Sequence, residues 1–265
     1  MSKRSGPREG EGCAAPDGKA VIRSVLDQTR VDVAAAEAAA SAGATGRRFK
    51  RDLKFAIIFA KHMGAAIAKA LEANFPGIKS GENPSRAVRG LKRVDVNYST
   101  PEAGLGLALS FKSVHFGERD SGSVRFTHNM KRNDEELRVE ATAHHLRQPY
   151  AVMVAVVFLP LESCADMAKS SFASWVEYLW PLKGRTEPED PPDRFELVFI
   201  GVYARDGSRL GFYEVGGDVP CPRKGRPRRL LELGEFLQRI VETYDRRNGL
   251  DFFFEGEGRD PGRRS

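Results

Sequence analysis

Asp95 and Lys112 lie in one short stretch of the chain, Arg93 to Phe116, which reads RVDVNYSTPEAGLGLALSFKSVHF. Two runs that alternate apolar and polar residues flank a turn rich in Pro, Glu and Gly, a pattern that predicts a β-hairpin. A carboxylate that holds Mg²⁺ lowers the pKa of bound water, and a nearby ammonium stabilises charge developing on a phosphate. The pair therefore predicts a site for phosphodiester hydrolysis; the alternative is a surface aspartate and a solvated lysine.

The elements around this hairpin are predicted to hold it in an α/β fold. An amphipathic helix over Phe49 to Phe75 ends at Pro76-Gly77, and a polar connection follows over Lys79 to Leu91. After the hairpin, Val124 to Phe126 would extend a strand. A helix capped by Asn133 then leads into Tyr150 to Leu159, whose β-branched run is typical of a strand buried on both faces.

The second half of the chain continues the same alternation. A helix is predicted within Ser163 to Leu182 and a second hairpin around Asp206-Gly207, a dipeptide that favours tight turns. A final amphipathic helix spans Leu233 to Arg247. We expect three regions: a disordered or weakly helical tail over 1–47, a single α/β domain over 48–255, and a disordered tail over 256–265. The expected fold is a mixed β-sheet flanked by helices.

Composition narrows the class of protein. The chain has 265 residues, a formal net charge of +6 and a sequence pI of about 9.3, a balance that favours acidic partners such as nucleic acid. Its three cysteines are far apart and form no CxxC, which argues against a disulfide framework or a zinc site and favours a reduced, cytoplasmic setting. The most apolar stretch is too short to span a bilayer, so we expect no membrane role.

The order of elements, α-β-β-β-α-β, and the residues Asp95 and Ser110-Phe111-Lys112 on the hairpin resemble the PD-(D/E)xK, or restriction-endonuclease-like, nuclease core. The resemblance covers roughly Phe49 to Pro160. It implies Mg²⁺, with Mn²⁺ as a substitute, and hydrolysis of DNA, less often RNA, as in restriction, phage defence or repair. It implies that Asp95 binds the metal and that Lys112 is the catalytic lysine. It also implies a homodimer or a partner defence protein.

Ser110 departs from the family pattern, because the family usually places Glu or Asp there as a second metal ligand. One explanation is that this acid has moved to the following helix, where Glu136, Glu140 and His144 share one face at spacings of four residues. Glu136 and Glu140 are then candidate metal ligands with Asp95. The other explanation is a degenerate site, in a protein that binds nucleic acid or a partner without cutting.

A dense basic segment, RKGRPRR, lies beside two prolines near the C-terminus. Its candidate phosphate-binding residues are Arg223, Lys224, Arg226, Arg228 and Arg229. Lys and Arg contacts to phosphates supply affinity that is independent of base sequence, so this segment would follow a duplex DNA backbone. The alternative is a solvated basic loop. An unrelated α/β enzyme is a further alternative, although the chain has no GxSxG, P-loop or GxGxxG motif.

Overall fold

The computed structural model describes residues 16–42, 50–87, 90–101, 104–114 and 126–248. They form five α-helices, six strands and two short 3₁₀ helices, Leu161–Cys164 and Trp180–Leu182. The elements are α1 Gly18–Ala42, α2 Arg51–Leu71, β1 Lys79–Ala87, β2 Gly90–Thr100, β3 Gly104–Ser113, α3 Met130–His145, β4 Val152–Pro160, α4 Ser171–Leu179, β5 Leu197–Tyr203, β6 Leu210–Glu214 and α5 Leu233–Arg247.

The strands form one sheet in the order of the chain, β1 to β6. β1, β2 and β3 form an antiparallel meander, β3, β4 and β5 are parallel, and β6 returns antiparallel to β5. The helices α3 and α4 lie in the two parallel crossovers, as parallel strands require. The predicted mixed α/β sheet flanked by helices is therefore confirmed, and so is each arm of the two predicted hairpins.

From α2 to β4 the order is α-β-β-β-α-β, but the third strand is not where the sequence placed it. β1 occupies Lys79–Ala87, which we expected to be a polar connection, so that prediction was wrong. Among the strands of the described residues it lies at the edge of the sheet and pairs with β2, so backbone hydrogen bonds define it without an apolar alternation. Of the segment Val124 to Phe126, only Phe126 is among the described residues, and it lies in a turn.

The sheet separates two apolar layers. Against one face pack α1, α2 and α5, with residues such as Phe59, Ile67 and Phe236 fully or almost fully buried. Against the other pack α3 and α4, with Leu137 and Trp175 fully buried. All nine residues of β4 are buried, as the sequence predicts for a central parallel strand. Both helical layers therefore fix the position of β3 and β4, the strands beside the candidate site.

The N-terminal region, predicted as a disordered or weakly helical tail, contains a helix. α1 extends over 25 residues, and its buried Ile22, Leu26 and Val33 form one apolar stripe. His62 Nε2 of α2 lies 2.9 Å from Asp32 Oδ2 of α1, which ties the two helices together. The folded part of the chain therefore begins about one helix earlier than residue 48. Its alanine-rich half supplies little apolar surface of its own, so the sequence pattern understates a helix that packing against α2 stabilises.

A buried ionic cluster joins the amino ends of the central strands to α5. Glu196, before β5, is 2% exposed and lies 3.2 Å from Arg185 Nε and 3.5 Å from Arg247 Nη2. It also accepts a hydrogen bond from the Met153 N–H at 2.8 Å, and His145 Nε2 lies 3.3 Å away. These contacts connect α3, β4, α5 and the segment before β5. The cluster therefore fixes the sheet at the amino ends of its parallel strands, opposite to the carboxyl ends beside the candidate site. Among the helices of the described ranges, none combines the length and apolarity needed to cross a bilayer.

Candidate active site

The hairpin of β2 and β3 holds Asp95 in a defined position. At the end of the hairpin away from its turn, the last regular pair of residues is Val96 with Leu109. One step further, the Phe111 N–H donates to Asp95 Oδ2 at 2.7 Å, so the carboxylate takes a hydrogen bond from the neighbouring strand. Gly64 of α2 lies directly behind, because a Cβ there would come within 3.6 Å of the Asp95 carbonyl oxygen. The neighbouring strand therefore holds the Asp95 carboxylate, and the closely packed helix α2 lies against the Asp95 backbone.

Lys112 brings the hairpin and α3 together. Its Nζ donates to Glu140 Oε1 at 2.8 Å and lies 3.5 Å from Glu136 Oε2. Glu136 also accepts a hydrogen bond from Arg132 Nε at 2.7 Å. The Lys112 and Glu140 side chains are 15% and 18% exposed, so this pair is largely removed from water. Two elements, β3 and α3, thus place two carboxylates against one ammonium.

The charges of the site shift two pKa values. Burial alone would lower the pKa of Lys112, but the carboxylates of Glu140, Glu136 and Asp95 outweigh it and raise that pKa above its usual value. Partial burial pushes the pKa of Glu136 upward, and its contacts with Arg132 and Lys112 outweigh this and lower it. Lys112 is consequently an ammonium at neutral pH, and Glu136 is a carboxylate.

A cleft of about 690 Å³ opens over this cluster. One wall is the apolar side of α2, including Leu53 and Ile57, and the other is the polar start of α3. Asp95, Lys112 and both glutamates line it. The side chains that the sequence predicts for catalysis on separate elements therefore meet at one solvent-accessible place, with the exception of Ser110.

Ser110 has a different environment. It is fully buried, it pairs with Ala155 of β4 in the parallel register, and it does not line the cleft. Its hydroxyl finds no hydrogen-bond partner within the described part of the chain. A buried position between two strands leaves no access to a substrate. The side chain that approaches Lys112 from α3 is Glu140.

The helix that carries Glu140 begins earlier than the sequence suggests. Asn133 was predicted as the N-cap with Glu136 in a capping box, but α3 starts at Met130 and its N-cap is Asn129, with φ 63°. Asn133 is therefore inside the helix, and this prediction was wrong. Asparagine tolerates the left-handed conformation that Asn129 adopts. Because Glu136 is not needed for capping, its carboxylate is available for Arg132 and Lys112.

The donor atoms suit a hard divalent cation. Carboxylate oxygens are the ligands that Mg²⁺ prefers, and Mg²⁺ is commonly held by one or two of them, with water and substrate phosphate completing the shell. Here the carboxylates already surround a cation, the Lys112 ammonium. Within the described residues, no group of three or more His, Cys, Asp or Glu side chains is arranged to hold a metal. Asp95 and Glu140 are the residues that would hold Mg²⁺ or Mn²⁺, with Glu136 beside them.

The predicted basic segment is exposed, but its members are not equivalent. Arg223, Lys224, Arg226 and Arg228 are exposed. Arg229, also exposed, has its Nη2 at 2.5 Å from Glu235 Oε1. The Gly225 N–H donates to the Cys164 carbonyl at 2.7 Å, just after β4. The segment is therefore anchored at the same end of the sheet as Lys112, where the parallel strands finish.

Sequence reasoning missed some residues of the site. Arg132 was not considered, although its spacing of four residues from Glu136 is a helical ion-pair signal. Lys61 and Asn129 also line the cleft, and nothing in their local sequence distinguishes them from other surface residues. Comparison of the chain with family models, with curated proteins and with solved structures finds no match. The function is therefore inferred from the residues and their geometry.

Proposed function

We propose that this protein is a Mg²⁺-dependent nuclease that hydrolyses phosphodiester bonds in DNA. The observation that carries the proposal is the meeting of Asp95, Lys112 and Glu140, from β2, β3 and α3, in one cleft. Phosphodiester hydrolysis needs a cation held by carboxylates and a positive group near the phosphate, and these residues supply both kinds of group. The basic segment at the same end of the sheet would contribute phosphate contacts.

The arrangement also supports a restriction-endonuclease-like core. The α-β-β-β-α-β order runs from α2 to β4, Asp95 is on the middle strand of the meander, and Lys112 is near the end of the next strand. Glu140 approaches from the crossover helix, where the acid missing at position 110 was expected. We infer that this glutamate replaces the family's second acidic residue.

Each residue has a distinct role in this proposal. When bound, Mg²⁺ would activate a water and neutralise charge on the phosphate. Asp95, positioned by the Phe111 N–H, and Glu140 would hold it. Lys112 keeps its proton, because the surrounding carboxylates raise its pKa, so it acts as a cation that orients the water or stabilises the transition state and not as a base. Glu136, which Arg132 in turn holds, positions the lysine from the same helix as Glu140.

A second candidate function is a non-catalytic nucleic-acid-binding or interaction subunit with the same fold. One observation favours it: Lys112, Glu140, Glu136 and Arg132 neutralise one another through direct contacts, without a metal. Such a set of ion pairs would be a stable end state in a degenerate site. The two functions predict different outcomes with Mg²⁺.

The deciding experiment is cleavage of supercoiled plasmid, linear duplex, single-stranded DNA and RNA by the full chain with Mg²⁺, Mn²⁺ or EDTA. We expect nicking or cutting with either metal and none with EDTA. Asp95→Asn and Glu140→Gln should abolish it, while the exposed Glu135→Gln on the same helix should not. Metal-independent cleavage, or cleavage that survives both substitutions, would refute the proposal. No cleavage of any substrate would favour the binding subunit.

A further inference from the structure

A second groove, of about 680 Å³, lies where the start of α1, the start of β6 and the segment before α5 meet. Four basic residues from these three places line it: Lys19, Arg209, Arg226 and Arg228. All four are exposed. Only Arg226 and Arg228 belong to the basic segment that the sequence singles out. The structure therefore extends that segment into a surface built from three distant parts of the chain.

None of these four side chains makes an ion pair with the described residues. The acidic residues of the same groove are already engaged. Glu232 and Glu235 form the capping box of α5, and Glu235 also binds Arg229. Asp17 Oδ1 accepts a hydrogen bond from the Lys19 N–H at 3.0 Å. The groove thus sets four cations that lack an ion-pair partner against the carboxylates of Asp17 and Glu232, which leaves it with a net positive charge.

The backbone around the groove is firmly held. Phe212 of β6 and Leu231 exchange two backbone hydrogen bonds, of 2.9 and 2.8 Å, so the segment before α5 runs along the edge strand. The start of α1 packs beside it, because a Cβ on Gly18 would touch the Leu233 Cβ at 3.4 Å. Because the backbone is fixed in this way, the basic side chains that it carries keep their relative positions and form one surface.

The groove and the candidate active site lie at the same end of the sheet, where the parallel strands finish. Lys112 is near the carboxyl end of β3. Arg209 immediately precedes β6, which begins at that end of the sheet because it returns antiparallel to β5. Three strand spacings separate β3 from β6, which is about 14 Å at a spacing of about 4.8 Å. That span is the rise of about four base pairs of duplex DNA at 3.4 Å each.

We propose that this groove binds the phosphate backbone of duplex DNA a few base pairs from the phosphate that is cut at Lys112. The inference rests on the proposed nuclease function for the position of the cut, but the binding itself does not require catalysis. Lys and Arg supply sequence-independent contacts to phosphates, so the groove would position the duplex and not read bases. Arg229, paired with Glu235, contributes little.

The test is the salt dependence of DNA binding by the full chain in EDTA, measured by fluorescence anisotropy with a labelled duplex of roughly two helical turns. The variants are Arg226→Ala/Arg228→Ala, Lys19→Ala/Arg209→Ala and all four together. The matched control, Arg147→Ala/Arg246→Ala, removes two exposed charges at the opposite end of the sheet, where the parallel strands begin. Circular dichroism and Tm verify that each variant is folded.

Each phosphate contact contributes about 0.9 to the slope of log K against log salt, so each groove pair should reduce the slope by about 1.8 and all four by about 3.6. The control should leave it unchanged. Equal effects of groove and control variants, no DNA binding by the unmodified chain, or binding of phosphatidylserine vesicles through these residues with the DNA slope unchanged would each overturn the proposal.

Cleavage assays on the same proteins separate the two proposals. If the unmodified chain cuts DNA but the groove variants bind it with an unchanged slope, the groove proposal fails and the nuclease proposal stands. If the unmodified chain never cuts but the groove variants lose the predicted slope, the groove proposal stands alone. If both hold, the groove variants should raise KM with little change in kcat, because they are remote from the reacting phosphate.

Discussion

The Lys112 ammonium donates a hydrogen bond to Glu140 Oε1 at 2.8 Å, although the two residues are 28 positions apart in the chain. Lys112 lies on β3, and Glu140 lies on the helix that crosses from β3 to β4. The contact brings an acidic side chain of the next element beside Lys112. The acidic residues of the site therefore come from two elements: Asp95 from β2, and Glu136 and Glu140 from α3.

This contact should contribute measurably to stability. In a double-mutant cycle of Lys112→Met and Glu140→Gln, followed by urea unfolding, we expect a coupling free energy of about 1–2 kcal/mol, because both groups are largely buried. The control cycle is Lys131→Met with Glu135→Gln, an exposed pair on the same helix, which should give about 0.3–0.5 kcal/mol. Equal coupling in the two cycles would show that Lys112 and Glu140 are not in contact in solution.

Asp95 should be required for cleavage but not for folding. Asp95→Asn keeps an oxygen that can accept the Phe111 N–H and removes the charge, so we expect activity to fall at least about 100-fold with Tm almost unchanged. Asp95→Ala also loses the acceptor and should lower stability by about 1 kcal/mol more. Plasmid cleavage and thermal unfolding measure the two effects. Full activity of Asp95→Asn would exclude a role for its charge.

Ser110 should be dispensable. Its buried hydroxyl finds no partner among the described residues, so Ser110→Ala should be neutral or stabilising by up to about 1 kcal/mol, with cleavage unchanged. Tm and initial cleavage rates measure this. A loss of activity comparable to that of Glu140→Gln would place Ser110 in the site and contradict the assignment of the second acid to α3.

The pH dependence of stability should show the lowered pKa of Glu136. A lowered carboxyl pKa contributes stability above the pKa of an unfolded glutamate, about 4.3, and that contribution is lost as pH falls through the lowered value. The Tm difference between the unmodified chain and Glu136→Gln should therefore be constant near neutral pH and disappear in acid. Glu135→Gln, exposed on the same helix, should show little difference at any pH.

The contribution of Lys112 to stability should be lost at high pH, whereas that of Glu136 is lost at low pH. Its raised pKa contributes stability below the pKa of an unfolded lysine, about 10.4, and the contribution is lost as pH rises through the folded value. The Tm difference between the unmodified chain and Lys112→Met should persist across neutral pH and decrease only in strong alkali. A decrease centred near neutral pH would show that the carboxylates do not hold the proton on Lys112.

The sequence alone determined the elements whose information is local. The all-apolar run of β4, the Asp206-Gly207 turn and the amphipathic α5 were each predicted close to their observed bounds. Asp95 and Lys112 could be assigned to neighbouring strands for the same reason, because the alternation and the turn between them lie within one short stretch. Local periodicity is sufficient for such elements.

Only the tertiary structure decided the rest. β1 was missed and α1 was predicted only as a disordered or weakly helical tail, because their stability comes from pairing with β2 and from contact with α2, and neither leaves a strong local pattern. The contact between Glu140 and Lys112 depends on how α3 crosses the sheet, and the groove joins Lys19, Arg209 and Arg228 from distant positions. Such side chains meet through packing of two helical layers on one sheet, which no spacing within the chain records.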